Sequence, residues 1–215
     1  MNPSILTLMG LVMSTVPLEA LTPIPVFLYG STAVPAGALV EARQEAARIL
    51  REAGVETRWF ECSPSAAGAQ PEPACGGALL SSHLVVRIVP RLQREYYRKP
   101  SGAAVPMEML GKALCVQGTG GNYISIYYNA VDRLARESDA RRARLLGYAI
   151  AHEIGHLLLG PQHSTGIMAA DWADKDVLRV PADKFFFSAS HRQRLETQVR
   201  ARLRADEQVA SNASR

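Results

Sequence analysis

Ala151-His152-Glu153-Ile154-Gly155-His156-Leu157-Leu158-Leu159-Gly160 is the stretch that decides how the rest of the chain is read. It holds the pattern His-Glu-x-x-His. Two histidines four residues apart lie on one face of a helix, so both imidazoles can reach one zinc ion. Glu153 follows the first of them and is placed to take a proton from a zinc-bound water. The flanks are apolar: Leu145, Leu146, Ile150, Ile154, Leu157 and Leu158. They predict a helix from about residue 138 to 159, stopped by Gly160 and Pro161. A buried helix with two histidines and a glutamate must compensate their polar atoms. A metal ion does so; the alternative is a pair of hydrogen-bonded core histidines.

A catalytic zinc takes three protein ligands and keeps one position open. His163 is the first candidate for the third, because Gly160 lets the chain turn back after the helix. Asp171, Asp174 and Asp176 are rivals that would make a site of two histidines and one carboxylate. His83 and His191 are more distant candidates.

At these residues the sequence resembles the metzincin clan of zinc metallopeptidases, and within it the matrixin-like branch. The signature of that clan is H-E-x-x-H-x-x-G-x-x-H, often followed by Ser and then by a turn containing Met. His152, Glu153 and His156 match its first part, Gly160, His163 and Ser164 its second, and Met168 resembles the Met of the turn. The departure is one residue: Leu159 stands where the clan has Gly, so Gly160 and His163 both slip by one. One added helical residue rotates the exit by about 100°, which the loop must absorb.

The resemblance implies an α+β fold: a zincin-like single domain of two lobes with a twisted mixed sheet. An antiparallel edge strand, a long active-site helix, a Met-turn and a C-terminal helix complete it. It implies Zn²⁺ as cofactor, His152, His156 and His163 as ligands, Glu153 as catalytic base and Met168 beneath the metal. It also implies that the edge strand pairs with an extended peptide. The strand at residues 123–128 fits that plan, which makes Tyr123, Ile124, Ser125 and Ile126 candidates for substrate contact. Residues 167–172 would wall a pocket, with Trp172 as one wall or as a packed core aromatic.

Toward the N-terminus, residues 24–29 and 55–60 read as strands around a helix over about 38–53, closed by Gly54. Strand, helix, strand over that length predicts two parallel strands. A third strand is expected at 84–89, and a hairpin from 113–117 to 123–128. A last helix is expected over 188–206, with a frayed tail from 208. The domain is therefore placed at 21–207, with lobes 21–160 and 161–207.

Residues 5–16 form an apolar run too short to span a bilayer. The run suits the core of a secretory signal peptide ending near Ala20, which points to a secreted or periplasmic protein. Cys62 and Cys75 flank a segment rich in Pro, Ala, Gly and Ser, and a disulfide between them fits an oxidising compartment. Cys115 reads as a buried thiol.

Composition narrows the remaining classes. The 215 residues are 47% hydrophobic and 20% charged, which excludes disorder as the main state. The net charge of +4 is mild, and its arginines are scattered over helix faces, so nucleic acid is not an expected partner. The sequence thus predicts a monomeric zinc endopeptidase acting on peptides. A non-catalytic zinc-stabilised binding module on the same fold is the alternative. The intact Glu153 argues against it, since a structural site has no need of that carboxylate.

Overall fold

A computed structural model describes residues 22–63, 72–90, 96–98, 104–106, 109–115, 121–137, 141–170 and 185–214. The proposed leader, the rival aspartates and Trp172 lie outside the described residues.

The expected strand–helix–strand unit is present. β1 (Ile24–Tyr29) is followed by α1 (Ala36–Glu52) and β2 (Thr57–Glu61), and β1 pairs with β2 in parallel. β1 is an almost continuous apolar run because it is buried on both faces, as interior parallel strands are. α1 turns Ala42, Ala46, Ile49 and Leu50 inward at helical spacing. It ends before Gly54, whose φ of 79° is the left-handed conformation that favours glycine. β3 (Leu84–Val89) adds to the other side of β1, again parallel. A separate two-stranded hairpin of β4 (Tyr96–Arg98) and β5 (Ala104–Pro106) follows.

β6 (Gly111–Ala113) and β7 (Tyr123–Tyr127) complete a five-stranded mixed sheet in the order β2-β1-β3-β7-β6. This corrects the expected edge. β7 pairs in parallel with β3 on one side and antiparallel with β6 on the other. Its backbone is taken up twice, so Tyr123, Ile124, Ser125 and Ile126 are interior to the sheet. Ile124 and Ile126 are buried. The antiparallel edge is β6, which pairs only with β7 among the described residues. Its register sets Gly111 opposite Ile126 and Ala113 opposite Ile124, so the strand begins two residues before its expected start.

The long helix expected over 138–159 is present, and a further helix precedes it. α2 (Tyr128–Glu137) starts directly after β7, and α3 (Arg142–Leu159) is a separate helix. The signal for α2 was Tyr128, Val131 and Ala135, all buried and spaced three and four apart. α3 is apolar nearly all round and is buried from Leu145 to Leu158. It packs along α1 and lies across β6 and β7. Gly147 permits the approach to α1: a Cβ there would sit 2.7 Å from the Ala42 carbonyl oxygen.

α4 (Ala189–Ala213) packs back on α3. It runs past the residues expected to fray, because no Gly or Pro interrupts 208–213. Arg202 on α4 is buried and donates to the carbonyls of Ser81, Gly121 and Leu157 at 2.9, 3.0 and 2.8 Å. One guanidinium thus ties the last turn of α3 to the start of β7 and to the loop before β3. Among the described residues no helix is long and apolar enough to cross a membrane.

Candidate metal centre

His152 and His156 stand one turn apart in the buried part of α3. Nδ1 of His152 lies 2.7 Å from the Ile167 carbonyl oxygen, and Nδ1 of His156 lies 3.0 Å from that of Gly160. A carbonyl only accepts, so both Nδ1 atoms carry the proton and donate. Both Nε2 atoms are then bare lone pairs, and they face each other at 3.0 Å. Protonating either ring a second time would relieve the repulsion, but burial opposes it. His152 is pushed down to about 4, chiefly by desolvation, and His156 is lowered for the same reason.

His163 joins them. The helix carries the extra residue as far as Leu159, and Gly160 then reverses the chain with φ 96°. This brings His163 Nε2 to 3.2 Å from His156 Nε2. The one-residue slip is therefore absorbed at Gly160. His152, His156 and His163 each offer one nitrogen, all within 4.8 Å of one another. His163 is exposed while the other two are buried, so the cluster opens to solvent on one side. Three convergent imidazole nitrogens, two of them fixed as acceptors by carbonyls, suit a zinc ion and form a cluster that can hold one.

Beneath the histidines lies a 3₁₀ turn, Gly166–Met168. Met168 is buried against Gly155, which directly precedes the second helical histidine. A Cβ at Gly155 would meet Met168 Sδ at 2.5 Å and Phe187 Cε1 at 2.9 Å. The turn is held from below by the Ile167 N–H, which donates to the Phe186 carbonyl. Gly166, with φ 64°, would drive any Cβ to 2.4 Å from that same oxygen. The turn therefore presents Ile167's carbonyl to His152, and small residues decide its height.

Glu153 is buried on α3 beside β6, and desolvation pushes its carboxyl up to about 8. The backbone N–H of Ala113 on β6 donates to it and works in the opposite direction. Gly111 makes its seat: a Cβ there would lie 2.7 Å from Glu153 Cγ and 2.8 Å from Oε1. Gly111→Ala is expected to shift the carboxylate while leaving the histidines in place. Any turnover that depends on Glu153 should fall about tenfold, the equivalent of roughly 1.4 kcal/mol in the barrier, with metal content unchanged. Parallel metal analysis and kinetics would check it.

The remaining sequence candidates fall elsewhere. His83 accepts the Leu80 N–H at Nδ1 and packs on Phe27. His191 binds Ser164 and Ser188. Cys62 and Cys75 form the expected disulfide. Cys115 is a free, half-buried thiol that donates to the His156 carbonyl at 3.4 Å. Sequence reasoning missed Gly111 and Ala113 as the seat of Glu153. Nothing local marks them, because only the pairing of β6 with β7 brings them to α3.

No family model and no curated protein matches the chain. Among solved structures it is similar to a zinc-dependent peptidase from Methanocorpusculum labreanum (strain Z). The TM-score is 0.47 and the identity 16%, over 79% of this chain and 99% of that one. It is also similar to archaemetzincin from Methanopyrus kandleri, with a TM-score of 0.45 and 16% identity, over 83% of this chain and 96% of that one.

Proposed function

We propose that the chain is a zinc-dependent endopeptidase with His152, His156 and His163 as metal ligands and Glu153 as general base. The observation that carries this reading is the pair of unprotonated, buried Nε2 atoms aimed at each other, with a third imidazole and a buried carboxylate beside them. A structural site would have no use for Glu153, whose burial is costly and whose seat needs a glycine at 111.

Bound there, zinc would make a ligated water acidic near neutral pH, polarise a substrate carbonyl and draw the Glu153 carboxyl toward its ionised form. The protein's own residues do the rest. Ile167 and Gly160 carbonyls fix the rings of His152 and His156. The Ala113 N–H favours the charged carboxylate and aims it. Glu153 takes the proton of the attacking water and returns it to the leaving amine. The outer edge of β6, not β7, is then the strand available to an extended peptide. The metzincin-type reading, including its matrixin-like branch, is supported by the His163-Ser164 pair and the Met168 turn. Export of the protein is supported by the Cys62–Cys75 disulfide.

Incubating the purified protein with a diverse peptide pool, followed by mass spectrometry, tests this reading. Internal cuts that vanish on chelation and return with zinc are the expected result. Zinc binding with no cuts under any condition would leave the non-catalytic module.

A further inference from the structure

His191 does not join the metal cluster, yet it faces the loop that carries His163. It is the third residue of α4, and Ser188 caps that helix. The Ser188 side chain accepts the His191 N–H at 3.3 Å, and the Ser188 N–H donates to His191 Nδ1 at 3.2 Å. An N–H can only donate, so Nδ1 is the bare nitrogen and Nε2 carries the proton. Burial and the neighbouring Arg194 both lower the His191 pKa. Nε2 lies 3.0 Å from Ser164 Oγ, to which it donates.

Ser164 is bonded directly to His163. Its own N–H donates to the Met168 carbonyl at 2.8 Å. Its hydroxyl is therefore the point where the C-terminal helix grips the ligand loop. The three histidines differ in how they are held. His152 and His156 are fixed by the helix and by a carbonyl on Nδ1. Among the described residues no such carbonyl holds His163, which is exposed on a loop. Its position depends on its backbone, and the residue beside it is anchored twice.

We propose that His191 is a positioning residue that holds His163 in the metal site through Ser164. This rests on the reading of His152, His156 and His163 as zinc ligands. The helix cap gives His191 its tautomer, and the tautomer makes it a donor to Ser164. Capping of α4 and placement of the third ligand are thus one hydrogen-bonded chain.

A merely structural His191 would act through the cap alone, and Ser164→Ala separates the two roles. That substitution leaves the cap intact and removes only the hydroxyl that accepts from His191. Zinc dissociation constants, measured by competition with a chelating dye, are compared for wild type, Ser164→Ala, His191→Ala, the double variant and His191→Gln. Ser164→Ala and His191→Ala are each expected to weaken zinc about tenfold, and the double variant no more than the weaker single one. His191→Gln, whose amide can accept from Ser188 and donate to Ser164, should restore most of the affinity. Metal-free melting temperature should drop in His191→Ala and not in Ser164→Ala. Wild-type affinity in Ser164→Ala, or losses that add in the double variant, would overturn the proposal. A wild type that binds no zinc would instead overturn the ligand assignment itself, and this proposal with it.

Discussion

Glu153→Gln is expected to keep the fold and the metal and to lower peptide hydrolysis by about 10²–10⁴-fold, the usual worth of a positioned general base. The amide has the shape of the carboxylate, so it fills the seat left open by Gly111 and still accepts the Ala113 N–H. It cannot take a proton from water. Stability should be unchanged or slightly raised, because desolvation penalises the charged carboxylate and an amide has no charge to desolvate. Kinetics, metal content and melting temperature on one preparation separate these effects. Full activity in the glutamine variant would remove Glu153 from the mechanism.

His163→Ala carries the second large effect. Two ligands on one helical face remain, and they do not make a tight zinc site. Loss of even an outer partner of a ligand costs about 10–100-fold in affinity, so loss of the ligand itself should exceed about 100-fold. The side chain is exposed, and its removal should cost the metal-free fold little. This variant also decides between His163 and a carboxylate at Asp171, Asp174 or Asp176. Undiminished zinc affinity would give the third position to one of them.

The part of the site that lies along one helix was legible in the sequence. Spacing alone places His152 and His156 on one face, and the apolar residues around them bury it. The first strand–helix–strand unit was legible for the same reason: its periodicities are local. What failed was non-local. Residues 123–127 have the apolar character of a strand but carry no mark of being an interior strand rather than an edge, and the position of β6 settles that. α2 was hidden because Tyr127 and Tyr128 join strand to helix without a Gly, Pro or capping residue. The return of His163 depends on the φ of Gly160, which the sequence permits without dictating. His191 looked like a distant ligand because a histidine's role is set by what lies opposite each nitrogen.

The most direct test of the metal centre is the zinc K-edge absorption spectrum of the purified protein. The arrangement of His152, His156 and His163 predicts a first shell of three imidazole nitrogens and one further light donor, with no sulfur. A shell with two imidazoles, a sulfur contribution from Cys115, or a protein that takes up no zinc would contradict it.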